Sequence, residues 1–282
     1  MKNRTLTQFL LVPALALGAT FAQGQGMINT IAGTGLPGFA GDGGPAAIAQ
    51  FSNPAGVAVN SSGDVFIADK SNSRVRMISG STGIISTYAG TGVFGYSGLG
   101  GPASHMAMRM PDGVSVTPTG DLLVSDWYND VVFLIDHVTL NGDNEGGDGH
   151  QGNNDNCLAK LGRLEIPAGA CMDNFGRVYI ADNGNNRVRI IIPRPTTAGT
   201  VNMIHTLANS TGAYGYSGDG GLAVDAHFNH IGGVAYDPMS NGDLYVSDAG
   251  NHVIRKINLE TGIITTIAGT GAAGYTGDGG SA

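Results

Sequence analysis

Asp64-Val65-Phe66-Ile67-Ala68-Asp69-Lys70-Ser71-Asn72-Ser73-Arg74-Val75-Arg76 has a second copy at Arg177-Val178-Tyr179-Ile180-Ala181-Asp182-Asn183-Gly184-Asn185-Asn186-Arg187-Val188-Arg189. Each copy holds two short runs of β-branched and aromatic residues around a polar turn, which is how paired strands read. Upstream stand Gly56-Val57-Ala58-Val59 and Gly169-Ala170-Cys171-Met172, with related starts at Gly113 and Gly233. The four starts are 57, 56 and 64 residues apart, a spacing that marks a repeat architecture. A fourth strand is read at residues 83–90 and 262–269. Four antiparallel strands per repeat make a propeller blade. Composition agrees, because 47 glycines in 282 residues would cost helices about 1 kcal/mol at each interior site, whereas turns use them.

The pattern Gly-Val-Ala-Val, turn, Tyr/Phe-Ile-Ala-Asp-x-x-Asn-x-Arg-Val-Arg resembles the NHL-repeat family, in its secreted bacterial-type form. The match is closest in blades one and three, with Ile67-Ala68-Asp69, Asn72, Arg74 and Arg76, and with Ile180-Ala181-Asp182, Asn185, Arg187 and Arg189. Blade two keeps Asp126 and Asn129 but has Val131 and Phe133 for the arginines, and blade four keeps Asp248, Asn251 and Arg255. The resemblance spans residues 27–282 and implies an all-β fold, a β-propeller of four-stranded antiparallel blades, four of them present. It also implies an enzymatic alternative, since relatives include lyases and similar propellers are lactonases, both with an axial metal. Residues 27–33 read as an isolated fourth strand, and residues 277–282 match the middle of a connection. The propeller is therefore expected to be incomplete at the C-terminus and to belong to a ring of six or more blades, with four-bladed closure as the alternative.

Residues 1–22 read as a signal peptide: Lys2 and Arg4 precede an apolar stretch over residues 9–19, too short to span a bilayer, and Thr20-Phe21-Ala22 offers a cleavage site. The expected location is secreted or periplasmic. Without Lys2 and Arg4 the chain has 12 basic and 22 acidic residues, a net charge of about −10. Nucleic acid is a poor partner for such a surface. No later run is apolar for long enough to span a membrane. Export also permits a disulfide between Cys157 and Cys171, although Cys171 stands where other blades have Ala58, Ser115 and Ala235, so a small buried residue explains it without a bond.

The stretch Gly33-Thr34-Gly35-Leu36-Pro37-Gly38 fits a dinucleotide fingerprint, but it recurs at residues 90–95 and 269–274 without a helix, so it reads as a repeated turn. In the long connections, Asp42, Leu99, Asp155, Asp219 and Asp278 share a register, preceded by Phe39, Tyr96, Tyr216 and Tyr275. Aromatics and carboxylates on one loop face would suit a protein, peptide or glycan. Alternatively each Asp caps its own Gly-Gly turn while the aromatic packs the loop onto its blade. Blade two has a polar stretch over residues 141–150 in place of a fourth strand, and Asp143, Glu145 and Asp148 are its Ca²⁺ candidates; a solvated insertion is the competing reading. The residues entering the inner strands, Asn53, Asp112, Ile166 and His230 or their neighbours, do not repeat a ligand. No nucleophile triad is recognisable, and no cofactor is evident beyond that Ca²⁺. A non-catalytic binding or interaction module on the Gly-rich loop face is the expected function, and an enzyme with an axial site is the alternative.

Overall fold

The computed structural model describes residues 28–239, 242–275 and 282. The signal-peptide reading, Met27 and Asp278 lie outside them. Residues 28–31 belong to a separate unit and carry no strand. From Ala32 onward the chain is one unit of four antiparallel sheets, the blades of a β-propeller.

Blade one comprises β1 (Pro54–Val59), β2 (Val65–Asp69), β3 (Arg74–Ile78) and β4 (Ile85–Ala89) in sequential order. Blade two comprises β5 (Gly101–Pro102), β6 (Pro111–Val116), β7 (Leu122–Asp126), β8 (Val131–Ile135) and β9 (Asn141–Gly146), with β5 added outside β9. Blade three comprises β10 (Cys157–Leu158), β11 (Pro167–Met172), β12 (Val178–Asp182), β13 (Arg187–Thr196) and β14 (Gly199–Ala208), with β10 outside β14. Blade four comprises β15 (Ile231–Asp237), β16 (Asp243–Asp248), β17 (Val253–Asn258) and β18 (Ile264–Ala268). Turns after the first and third strands of each blade fall at one end, here the turn face. Turns after the second and fourth fall at the other, the loop face.

Alternation along the strands sends apolar side chains to both sides of each sheet, so every blade can bury two faces. Phe66 and Val75 of blade one pack with Leu122, Val124 and Phe133 of blade two. Leu123 and Val132 pack with Ile180 and Ile191 of blade three, and Tyr179 and Ile190 pack with Leu244 and Ile257 of blade four. At the axis the inner strands approach backbone to backbone. A Cβ on Gly56 would lie 2.6 Å from the Asp112 carbonyl oxygen, and one on Gly113 would lie 2.5 Å from that of Ala168. A Cβ on Gly233 would meet nothing within 4 Å, and Val57 and Val59 of blade one are 60% and 58% exposed. Among the described residues, therefore, the blades form an arc, and β1 does not pack on β15 as the other inner strands pack on one another.

One expectation is corrected. The polar stretch of blade two is its fourth strand: β9 pairs with β8 from Ile135↔Gly142 to Val132↔Gly146. A ladder is made by backbone groups, so an outer strand can be polar, and its glycines are steric. A Cβ on Gly142 would lie 2.1 Å from Met106 Sδ, and one on Gly146 would lie 2.7 Å from Ile191 Cδ1. Of the two readings of the cysteines the unpaired one holds, because Cys157 and Cys171 are both free thiols. They lie on β10 and β11, the two edges of a five-stranded sheet. At about 4.8 Å per strand the edges are roughly 19 Å apart, far beyond the ~7 Å Cα separation a disulfide tolerates.

The long connections do more than project from one face. Each runs down its outer strand and back, pairing with it through Pro45↔Ile84, β5–β9, β10–β14 or Leu222↔Ile263. At the far end sits a 3₁₀ turn, Ala46–Ile48, Ala103–His105, Ala159–Leu161 or Ala223–Asp225, whose leading alanine is buried.

Three predictions follow from this packing. Gly113→Ala should destabilise by about 2–3 kcal/mol through overpacking against rigid backbone, whereas Gly233→Ala should be close to neutral; urea unfolding compares them. Asp126, buried without the third-strand arginine of the other blades, is pushed up to about 7 by desolvation. Its folded pKa lies above the unfolded value of about 3.9, so stability should fall as pH rises from about 4 to 7. Asp126→Asn should remove that loss, adding about 1–3 kcal/mol at pH 8 and little at pH 5, because an amide oxygen in the Oδ2 position still accepts from Arg109 N and Asn129 Nδ2. Asp182→Asn should instead cost about 1–3 kcal/mol, since it takes one of two carboxylates from buried Arg189 and leaves Asp155 in place.

Candidate functional site

The loop face is organised by one hydrogen-bonded unit repeated in each blade. The Asp ending the second strand accepts the backbone N–H of the segment entering the inner strand: Asp69 from Ser52, Asp126 from Arg109, Asp182 from Glu165 and Asp248 from Asn229, at 2.8–2.9 Å. The Asn three residues later donates both to that Asp and to a connection carbonyl, as Asn72 does to Gly38, Asn129 to Gly95, Asn185 to Gly152 and Asn251 to Gly215. These carboxylates thus bind the incoming chain as well as the turn that follows them.

The third strand supplies a fully buried arginine that joins two carboxylates. Arg76 contacts Asp69 at 3.4 Å and Asp42 at 2.6 Å. Arg189 contacts Asp182 at 3.0 Å and Asp155 at 2.8 Å. Arg255 reaches Asp219 at 2.6 Å and Asp248 at 3.8 Å. Asp42, Asp155 and Asp219, predicted as ligand-binding residues, are therefore held by the blade, each also hydrogen-bonded to a fourth-strand threonine, Thr87, Thr206 or Thr266. The aromatics cover the same position. The Phe39 ring lies 3.8 Å from Arg74 Cζ and 4.8 Å from Arg76 Cζ, and the Tyr216 ring 5.4 Å from Arg255 Cζ. Tyr216 hydroxyl also bonds Thr266. In blade two both charges are replaced together: Leu99 takes the Asp register, and Tyr96 stacks on Phe133 at 6.1 Å while accepting a bond from Asn144. Tyr275 is 88% exposed.

The Ca²⁺ candidates are separately engaged. Asp143 binds Lys160, Glu145 accepts from Asn202, and Asp148 meets Arg163 and His150. Among the described residues no three His, Cys, Asp or Glu side chains group as a metal site. The axial opening is lined by inner-strand backbone around Gly56, Gly113, Gly169 and Gly233, with Asp112. The residues that enter the inner strands in left-handed conformation are Asn53, Met110, Ile166 and His230, so Met110, not Asp112, holds this register in blade two.

One loop-face cleft, of about 520 Å³, is lined by Phe94, Gly95, Arg109, Met110, Tyr128 and Asn129. Its floor comes from the Asp-x-x-Asn turn of blade two, where Trp127 and Tyr128 stack at 5.3 Å. Other blades carry Lys70-Ser71, Asn183-Gly184 and Ala249-Gly250 there. Lys70 Nζ sits 3.3 Å above the Trp127 ring and 2.6 Å from Asp112, and Arg109 lies 5.3 Å from Tyr128. Phe94 and Tyr128 are 58% and 46% exposed. Sequence reasoning did not single out these residues, although aligning the four turns would have isolated Trp127 and Tyr128.

Comparison with known proteins agrees with this architecture. The family model for the NHL repeat matches residues 51–76 and 164–191, within blades one and three. NHL repeat-containing protein 2 of Gallus gallus is 32% identical over 182 residues, 61% of this chain and 23% of that protein. The Homo sapiens protein of the same name is 26% identical over 243 residues, 78% of this chain and 33% of its own length. The chain thus spans at most a third of these two relatives. Among solved structures, an auxiliary nutrient binding protein from Bacteroides thetaiotaomicron superposes with a TM-score of 0.56 at 15% identity, covering 84% of this chain and 50% of that one, a likeness of fold. No helix among the described residues is long and apolar enough to cross a membrane. With Asp-x-x-Asn turns set into all four of its four-stranded blades, the chain is a β-propeller that carries NHL repeats in blades one and three.

Proposed function

We propose that the chain is a non-catalytic, extracytoplasmic binding module whose loop face holds a protein, peptide or glycan. The observation that carries this reading is the exposed aromatic and cationic cluster of blade two. The other blades build the same turn with Lys70-Ser71, Asn183-Gly184 and Ala249-Gly250, so an aromatic pair is not needed to build it. Aromatic and arginine side chains are the ones most often found to dominate binding energy, and Arg109 beside two exposed rings suits a ligand that combines a planar or apolar group with an acceptor or negative charge. The aromatics at Phe39, Tyr96 and Tyr216 then support the face, with Phe94 and Tyr128 making the contact. That a structure of the same fold is described as a nutrient binding protein is in keeping with this reading, as is the basic-then-apolar pattern of residues 1–22.

The test is a screen of the full chain against a displayed peptide library and a glycan array. A hit should weaken at least about tenfold, roughly 1.4 kcal/mol, in each of Tyr128→Ala and Arg109→Ala. Absence of hits, or hits indifferent to both substitutions, would overturn the reading. Export is checked by mass spectrometry of the native protein, which should begin at Gln23; an intact Met1 terminus would contradict it.

A further inference from the structure

On the opposite face the three blade junctions differ in how they are occupied. At the junction of blades two and three, Glu145 of β9 accepts a hydrogen bond from Asn202 of β14 at 2.7 Å, beside the ten-residue strands of the β13–β14 hairpin. At the junction of blades three and four, a cleft of about 520 Å³ is lined by Phe175, Tyr236, Met239 and Leu259 with Arg177 and Glu260. At the junction of blades one and two, Tyr88 stands in the register of Glu145, and Ser104, Thr119 and His137 face it across a cleft of about 860 Å³. That volume lies in the range of small-molecule sites.

We propose that this cleft between blades one and two is a second binding site, for a neutral oligosaccharide. A sugar presents apolar C–H faces and a rim of hydroxyls that both donate and accept. The cleft supplies both complements. The Tyr88 ring is fixed by an edge contact with Phe66, centroids 4.9 Å apart at 74°. Ser86 and Ser104 contribute hydroxyls, while Thr119 Oγ1 is held by Thr117 and Asp121 and the Asn60 amide by its own turn. His137 Nδ1 lies 2.7 Å from Asp121; that carboxylate selects the tautomer with the proton on Nδ1, which leaves Nε2 as an acceptor. No lysine or arginine is among the described residues lining the cleft, and Asp64 is, so an acidic sugar would find repulsion and no counter-charge. The proposal is independent of the loop-face site, which opens at the other end of the blades.

Calorimetric titration of the full chain with maltotriose, cellotriose and mannotriose tests it, with trigalacturonate as the acidic comparison. At least one neutral trisaccharide should bind with a Kd below about 1 mM, and trigalacturonate should not. Tyr88→Ile takes the residue blade four carries at Ile267, and Ser104→Arg fills the cleft from an exposed position. Each should weaken binding at least tenfold while thermal melts stay near those of the unaltered chain; if Tyr88→Ile fails to fold, Ser104→Arg decides. Tyr128→Ala separates the two sites: a trisaccharide held in this cleft keeps its affinity in that variant, whereas one held on the loop face loses it. Failure of all three neutral sugars to bind would overturn the proposal. So would indifference to Ser104→Arg, preference for trigalacturonate, or loss of binding in Tyr128→Ala alone.

Discussion

A buried arginine gripped by two carboxylates holds this molecule together. In blades one, three and four the guanidinium reaches from the third strand to the Asp ending the second and to an Asp in the incoming connection. One side chain thereby ties two strands and about twenty residues of loop into one unit. Such a pair is costly to desolvate, and its worth lies as much in fixing geometry as in stability. The long connection needs that pin, because it runs the length of the outer strand and back with little regular structure of its own. Blade two solves the same problem with Tyr96 on Phe133, which leaves Asp126 buried without the third-strand guanidinium, its carboxyl pushed up to about 7 by desolvation.

The fold was legible because a blade is a local object. Strand lengths, turn residues and period all lie within about 55 residues, and Ile67-Ala68-Asp69 repeats at Ile180-Ala181-Asp182 closely enough to set the register. The polar β9 was not legible, since its pattern lacks the apolar alternation that identifies strands. Its identity lies in the backbone ladder and in two glycines fitted against Met106 and Ile191. The course of the connections was hidden for a similar reason. Ala46, Ala103, Ala159 and Ala223 recur in register, but alanine carries little information until the neighbour that buries it is known.

The candidate site was legible only in part. The recurring Asp and aromatic positions drew notice as ligand groups, yet their partners are the arginines of their own blades, one strand away in space and some 34 residues away in sequence. The paired loss of Asp at Leu99 and Arg at Phe133 was visible in the repeat alignment and is the trace of that contact. Trp127 departs together with Lys70 and Asp112, which meet it across the blade junction; what departs from a repeat without a compensating change elsewhere is more informative about binding, and exposed Tyr128 is such a departure.

At the point where each inner strand begins, the chain turns through a left-handed residue: Asn53, Met110, Ile166 and His230, at φ between 51° and 62°. None is glycine, and for a β-branched side chain such as Ile166 this conformation is a genuine strain. Its path is fixed by neighbours: Ile166 N donates to Asp130 and His230 N to Asn186, each in the turn of the preceding blade. Because the surroundings dictate the backbone here, the side chain does not have to set it, and an amide, a thioether, a hydrocarbon and an imidazole occupy equivalent places. The propeller thus carries around its axis a set of interchangeable sockets, where descendants of one scaffold can trade chemistries without relearning how to fold.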